Sequence, residues 1–498
     1  MDEQVKKIKK ILIANRGEIA LRIIGTCREL GIKTITLYAP EEKKLPHALY
    51  SDEAILLEGQ TLSETYLNQD LLISIAKEKG ADAIHPGYGF LSENDGFAKK
   101  VEDSGLIFIG PTPDVILLMG DKIQSKLTAQ KYNLPIIPGY HGQDQSLECL
   151  KQQADQIGYP VLIKASKGGG GKGMRVVYKA NEFQDSLDAA KREAKNAFGD
   201  DSVLLEKFIE DPRHIEFQVL SDTHGKHLHL YERECSIQRR HQKIVEETPS
   251  VALDNSVREK MAQASISLTS GINYRGAGTI EYILDKNGEF FFLEMNTRLQ
   301  VEHPITEMVT GVDLVKEQIA IAEGRALGLE QEQIKQRGHS IEVRIYAEDP
   351  QNDFLPSVGK IEFLGESSLK NVRMDTGYVS GNVVSINYDP MLAKLIVWGS
   401  DRNSAIEKCK LALNEVLFLG LKTNRSYLKK ILEHQSFVDG ETFTHFVQTH
   451  KEQLLTEKAS SDEELAHVIA AYLLNRKGTK SEQSSSTVWD QISGFRNI

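Results

Sequence analysis

Two carboxylates carry the strongest chemical signal in this sequence. Thr279–Leu284 and Phe290–Asn296 are strand-like runs joined through Asn287-Gly288, the preferred pair for a two-residue type I′ hairpin loop. With that loop, Glu281 stands directly opposite Glu294, and a register slip by two would leave both on one face. Like charges opposed across a hairpin are destabilising, so something must compensate them. Magnesium (or manganese) held by carboxylates together with nucleotide phosphates is the natural answer, and Asn296 falls on the same face. If the chain stays extended, Arg298, Gln300 and Glu302 continue that face until His303-Pro304 ends it. An Arg, an amide and a carboxylate beside a metal pair can bind a small oxyanion and remove its proton. A solvated charged face is the usual reading of such residues, but the apolar positions facing the other way mark this strand as half-buried.

A second signal is the glycine loop. Lys164-Ala165-Ser166-Lys167 leads into Gly168-Gly169-Gly170-Gly171, followed by Lys172-Gly173-Met174. Glycines let backbone N–H groups approach phosphate oxygens, and the flanking lysines supply charge. Gly173 is followed by Met174, so this is not a Walker loop, and the formal GxGxxG match is weak because Met174–Tyr178 reads as a strand where a dinucleotide fold needs a helix. Strand, glycine loop, strand is a flap suited to cover a triphosphate. Two further groups are less specific. Arg233 to Lys243 concentrates cations in an acidic protein, and a surface basic patch explains it as well. His339–Arg344 alternates polar and apolar residues as an ordinary half-exposed strand does.

These residues need a scaffold, and residues 8–110 show one. Ile11–Ala14, Lys33–Leu37, Asp82–His85 and Leu106–Ile109 read as strands, and Gly17–Leu30 as a helix, the alternation of parallel βαβ units. The Asn15-Arg16-Gly17-Glu18 turn is either an anion-accepting helix N-terminus or a plain tight turn. His85–Asn94 is a turn-rich loop after a strand end, where α/β proteins place ligands. A helical pattern follows Asp121, residues 160–350 are rich in strand signals, and Asp401–Leu417 is an amphipathic helix. Ser461-Asp462-Glu463-Glu464 is a capping box opening a helix through Leu474, and Lys477–Thr487 reads as a polar linker.

The chain has 498 residues, 40% apolar and 26% charged, with a net charge of −11. That is material for about three domains of an ordinary globular protein and excludes collagen-like, disordered and disulfide-stapled classes. An acidic balance supplies no field for non-specific binding of nucleic acid or anionic membrane. No segment reaches the ~18 apolar residues of a membrane span. The four cysteines, Cys27, Cys149, Cys235 and Cys409, lie far apart without zinc-ligand spacing, which places the protein in a reducing, cytoplasmic compartment.

Taken together, Glu294–His303, the glycine flap and Arg239-Arg240-His241-Gln242-Lys243 resemble biotin carboxylase, an ATP-grasp enzyme. The resemblance extends over residues 8–445 and includes His85–Asn94 and Arg344–Pro350. It implies a mixed α/β and α+β fold with a Rossmann-like N-terminal domain over 1–120 and an ATP-grasp domain over 121–336, its lid at about 137–208. A β-rich C-terminal domain over 337–445 and a tail over 446–498 complete it. The implied cofactors are ATP and magnesium, with biotin as a carrier-bound substrate. By the resemblance, Lys122, Lys164, His214, Gln238 and His241 would contact the nucleotide, under Gly168, Gly169, Gly170 and Gly171. Glu206, Lys207 and Ile209 would frame the adenine, and Glu281 and Glu294, assisted by Asn296, would bind the metal. Lys243, Arg298, Gln300 and Val301 would hold bicarbonate, Glu302 would deprotonate it, and Arg344 would stabilise the biotin enolate.

Tyr388–Trp398 is similar to the biotin-containing subunits of acyl-CoA carboxylases, and the tail Ser484–Asn497 is most similar to methylcrotonyl-CoA and propionyl-CoA carboxylases. Acetyl-CoA and pyruvate carboxylases fit that tail less well. No Ala-Met-Lys-Met biotinylation motif occurs, and Trp489–Ile498 looks like the start of a further region. The expectation is an N-terminal portion of a longer α-subunit, with a carrier domain, a carboxyltransferase subunit and a homo-oligomer as its associations. Competing classes are an ATP-grasp ligase joining an acyl phosphate to an amine and a non-catalytic ATP sensor.

Overall fold

The computed structural model describes residues 5–165, 174–198, 200–240, 242–456 and 469. The first hundred residues form a parallel sheet of β1 (Lys10–Ile13), β2 (Lys33–Tyr38), β3 (Glu53–Leu56), β4 (Ala83–His85) and β5 (Ile107–Phe108), ordered β3-β2-β1-β4-β5. The order reverses between β1 and β4, so their C-terminal ends open a crevice. Into it run the turn before α1 (Gly17–Glu29) and the His85–Asn94 loop. Asn15 Nδ2 ties the two, donating to the Pro86 and Tyr88 carbonyls at 2.8 and 2.7 Å. Gly87 sits at φ +63°, where a Cβ would lie 2.9 Å from the Asn15 amide, so the close approach needs glycine. Glu18, in the first turn of α1, is buried and its carboxylate lies 3.1 Å from the Lys394 ammonium.

After α2 (Lys122–Lys131), whose N-cap Asp121 accepts from the Ile123 and Gln124 amides, comes a small antiparallel sheet. Its strands β6 (Gly139–Tyr140), β7 (Val161–Ala165), β8 (Arg175–Val177) and β9 (Val203–Lys207) lie in the order β6-β9-β7-β8. Val161 pairs with Val177, so the glycine loop joins two antiparallel strands as expected, although Gly168–Gly171 themselves lie outside the described residues.

The largest element is an eight-stranded antiparallel sheet built from β10 (Arg213–Ser221), β11 (His227–Arg239), β12 (Gln242–Thr248), β13 (Gly276–Leu284), β14 (Phe290–Asn296), β15 (His339–Tyr346), β16 (Val372–Thr376) and β17 (Met391–Gly399). Their order is β14-β13-β10-β11-β12-β15-β17-β16. It runs across the expected boundary at 336–337, because β12 pairs with β15 (Val245 opposite Val343) and neither strand is left as an unpaired edge. The helix α3 (His303–Thr310) packs on this sheet, and α4 (Arg402–Glu415) is the expected amphipathic helix, capped by Asp401.

The β13–β14 hairpin corrects two expectations and keeps their consequence. Asp285 N–H bonds the Glu289 carbonyl at 2.8 Å, closing a three-residue loop over Lys286, Asn287 and Gly288. Of these only Gly288 has positive φ, +82°, so the turn is not type I′. The Asp285 carboxylate, accepting from the Asn287 and Glu289 amides at 2.8 Å each, favours the longer loop. Tyr282 consequently pairs with Phe292, one residue off the expected register. A bulge at Leu293 then restores it, and Glu281 does face Glu294. Beyond Asn296 the chain leaves the strand, so Arg298, Gln300 and Glu302 do not extend it; Glu302 is instead the residue preceding α3.

Ion pairs join the N-terminal sheet to the large one. Arg22 of α1 reaches Glu307 of α3 at 2.7 Å and Asp313 at 2.8 Å, and Arg373 of β16 takes the other Glu307 oxygen at 2.8 Å. Arg22→Ala leaves these carboxylates short of a buried partner and is expected to destabilise the fold by about 3–5 kcal/mol. A lowered denaturant midpoint is the check; an unchanged midpoint would show that Arg373 alone neutralises Glu307.

The described residues up to Leu454, outside the second unit that begins at Leu455, form one compact unit. The capping box at Ser461–Glu464, the helix expected after it and the polar linker lie outside the described residues. No helix among the described residues is long and apolar enough to cross a membrane.

Candidate active site

Strand β10 reads His214, Glu216, Gln218 at every second position, so one face of the sheet is polar where it meets Glu281 and Thr279 of β13. Buried polar groups need partners, and each finds one. Arg233 of β11, fully buried, donates to Glu216 at 2.5 Å, Gln218 at 2.7 Å, Thr306 at 2.9 Å and Thr279 at 3.1 Å. The cation-rich Arg233–Lys243 run is therefore interior at this end, not a surface patch.

Lys243 is the hub. Its ammonium contacts Glu216 at 2.5 Å, Glu302 at 2.7 Å and Glu281 at 2.9 Å, one carboxylate for each of its three hydrogens. Glu281 also accepts from Asn296 Nδ2 at 2.8 Å and lies 2.7 Å from His214 Nε2. Burial would raise the Glu281 carboxyl, but Lys243 and His214 outweigh it and hold the group far below the usual carboxylate range. Its opposite number behaves inversely: burial and the Glu281 charge push Glu294 up. Glu294 is nonetheless solvent-exposed. Glu281, Glu294 and the Asn296 carbonyl form an all-oxygen donor set with unequal carboxylates, which fits a hard divalent cation.

Glu302 lies between two cations. Oε1 meets Lys243, and Oε2 meets Arg344 Nη2 at 2.9 Å. Burial opposes ionisation, yet Lys243, Arg344 and Arg233 together hold this carboxyl well below its ordinary range. Arg344 also donates from Nε to Glu246 at 2.7 Å. Burial, opposed by Arg344 and reinforced by the Glu302 charge, pushes Glu246 up to about 7. Arg298 is anchored by Glu93 at 2.7 Å and donates to the Asn296 carbonyl at 3.2 Å. Gln300 is buried with its Nε2 lacking a partner, and the Val301 carbonyl accepts from Lys394 at 2.9 Å. Arg298, Val301 and Arg344, with Tyr88, Gln242 and Tyr346, line a cavity of about 430 Å³. The Arg298 and Arg344 guanidiniums, both on the wall of this cavity, form a site for an anion.

The expected nucleotide residues divide. His214 and Gln238 meet at 2.6 Å beside Glu281. In the small sheet, Glu206 accepts from Lys126 at 3.0 Å and from Lys164; burial would raise its carboxyl, but these two lysines hold it low. Lys207 donates to the Gly158 and Tyr159 carbonyls at 2.8 and 3.0 Å, and Ile209, just beyond β9, is half-buried. Lys122 is exposed at the start of α2, and His241 lies outside the described residues. Sequence reasoning missed Glu216 and Gln218, although the period-two polar pattern of β10 could have shown them, and it missed Glu246 and Lys394, for which no local pattern exists. It also took His339–Arg344 for an ordinary half-exposed strand, whereas all eight residues of β15 are buried.

Three family models cover this chain in order. The N-terminal domain of biotin carboxylase matches residues 7–116, the ATP-binding domain of the carbamoyl-phosphate synthase L chain 121–330, and the C-terminal domain of biotin carboxylase 342–449. The chain belongs to the biotin carboxylase family. A biotin carboxylase from Nostoc is 50% identical over 442 residues, covering 89% of this chain and 99% of that protein. The protein named methylcrotonoyl-CoA carboxylase subunit alpha, mitochondrial, of Dictyostelium discoideum is 48% identical across 99% of this chain, which spans 71% of its length. Among solved structures, the biotin carboxylase domain dimer of Hydrogenobacter thermophilus 2-oxoglutarate carboxylase, in complex with MgADP, ADP and bicarbonate, matches with a TM-score of 0.81. The two are 44% identical, and the match covers 91% of this chain and all of that one. The ATP-grasp architecture of biotin carboxylases is thus the one that places Lys243 among its three carboxylates.

Proposed function

We propose that this chain carboxylates biotin with ATP and bicarbonate, and that the Lys243–Glu302–Arg344 chain of contacts beside Glu281 and Glu294 carries the reaction. In the resting site the Glu302 carboxylate is held between the two cations, Lys243 and Arg344. A bicarbonate anion entering beside Arg298 and Gln300 competes for Lys243. Each cation drawn away from Glu302 weakens the field that depresses its pKa, so substrate binding itself makes Glu302 a stronger base. Glu302 then takes the bicarbonate proton while the oxyanion attacks the γ-phosphorus of ATP, giving carboxyphosphate and ADP. Carboxyphosphate breaks to CO2 and phosphate. The phosphate removes the N1′ proton of biotin, Arg344 stabilises the enolate oxygen, and N1′ attacks CO2. Magnesium, when held by Glu281 and Glu294 with Asn296 beside them, neutralises triphosphate charge. Lys122, Lys164, His214, Gln238 and His241 are assigned to the nucleotide under the Gly168–Gly171 loop, with Glu206, Lys207 and Ile209 at the adenine.

Domain limits of 1–120, 121–336 and 337–445, with a tail over 446–498, follow the same reading. The names of the relatives support methylcrotonyl-CoA as the final acceptor, reached through a biotin carrier domain and a carboxyltransferase subunit, with propionyl-CoA as the alternative. A homo-oligomer is part of the proposal. Four free thiols support a reducing, cytoplasmic setting.

ADP release with magnesium-ATP, with and without bicarbonate and with free biotin at high concentration, tests the activity. Bicarbonate-dependent release accelerated by biotin is the expected result; ATP binding without turnover, or turnover with amino acids in place of bicarbonate, would overturn it. Glu294→Gln removes one charged oxygen ligand and is expected to raise the magnesium concentration for half-maximal ADP release by at least about 10-fold, the scale of effects seen when metal-site groups are altered. An unchanged magnesium requirement would remove Glu294 from the metal site.

A further inference from the structure

We propose that Glu246, which has no role in the reaction above, is the positioning residue for Arg344. The inference rests on the biotin carboxylase reading and deepens it. Glu246 Oε1 lies 2.7 Å from Arg344 Nε and 2.5 Å from Nη2, so one edge of the guanidinium is anchored on a single fully buried carboxylate. Glu302 takes the same Nη2 at 2.9 Å. The two anchors differ in what the reaction asks of them. Glu302 becomes neutral when it accepts the bicarbonate proton, and its hold on the guanidinium then weakens. Glu246 takes up no proton in the reaction, so at pH 8, above the value of about 7 to which burial pushes it, it stays charged and can hold Arg344 toward the cavity while the enolate forms.

The surroundings concentrate charge on Glu246. Across the β12–β15 pairing it stands directly opposite Glu342, and both residues are fully buried. Neither Glu342 oxygen has a hydrogen-bond partner, nor has Glu246 Oε2, among the described residues. Two opposed buried carboxylates cannot both ionise without a large cost. Burial, opposed by Lys394, drives the Glu342 carboxyl well above its ordinary range. Glu342 is therefore the member that keeps its proton, and the anion of the pair rests on Glu246 against the guanidinium.

The test compares two reactions of the whole chain at pH 8: bicarbonate-dependent ATP cleavage without biotin, and carboxylation of free biotin. Glu246→Gln keeps the volume and loses the charge. It is expected to lower kcat for biotin carboxylation by about 10²-fold, the scale for a misplaced catalytic group, while biotin-free ATP cleavage and the KM for ATP stay within about threefold. Glu246→Asp, which restores the charge on a shorter arm, is expected to recover part of the loss in the biotin step alone. Glu342→Gln, mimicking a group already neutral, is expected to leave both reactions within about threefold. An unchanged biotin step in Glu246→Gln, or equal loss of both reactions in Glu246→Gln and Glu246→Asp, overturns the positioning role. Wild-type protein without bicarbonate-dependent ADP release would instead overturn the reading on which it rests.

Discussion

Glu302→Gln is expected to lower bicarbonate-dependent ADP release by about 10²–10⁴-fold, the range for losing a positioned general base. Glutamine keeps the volume and an acceptor oxygen, so the packing between Lys243 and Arg344 survives. Lys243 retains Glu216 and Glu281, and Arg344 retains Glu246, so neither cation is left without an anion. Magnesium-ATP binding is therefore expected to stay unchanged while turnover collapses. Initial rates of ADP release at saturating ATP, beside a direct nucleotide-binding titration, separate the two quantities. Retained turnover would mean another base, and Glu216 on the far side of Lys243 would be the residue to examine.

The second large effect is at Arg344. Alanine there should cost about 10²–10³ in kcat for biotin carboxylation, as for removal of an oxyanion donor. Part of any loss will be structural, because Glu246 and Glu302 would share a buried space without the guanidinium between them. The thermal midpoint and the biotin-free ATP cleavage rate measure that part. If Arg344 acts on the enolate, the biotin-dependent rate falls much further than either; if all three fall together, its contribution is to the fold. Unchanged turnover would discredit the role outright.

How much of this site could be read from the sequence depends on how local each relation is. The opposition of Glu281 and Glu294 was legible because only a short hairpin separates them. Its derivation was wrong in detail, since a three-residue loop replaced the type I′ turn and the bulge at Leu293 compensated the shift. The compensation keeps the acidic pair together: the longer loop alone would have set Glu281 against Leu293, and the bulge alone against Met295. Arg298, Gln300 and Glu302 were grouped with Glu281 and Glu294 through a continuous strand that does not exist. The turn after Asn296 brings Glu302 to Lys243 and Arg344 from the start of α3. Arg344 itself was invisible without the family resemblance. His339–Arg344 alternates like any half-exposed strand, and only its place between β12 and β17 buries it.

The sequence by itself determined the elements whose causes are local: the βαβ alternation of the first hundred residues, the strand–loop–strand flap, the period-two polar faces, and the motifs that mark a biotin carboxylase. Tertiary structure alone decided which charges meet. Lys243 finds Glu216 on β10, Glu281 on β13 and Glu302 ahead of α3, and Arg344 finds Glu246 across a pairing nearly a hundred residues long in sequence. Coulomb energy depends on separation and on the local dielectric. Neither is a property of residue type or spacing, so the ionisation state of Glu302, Glu294 or Glu246 exists only once the sheet has closed around it.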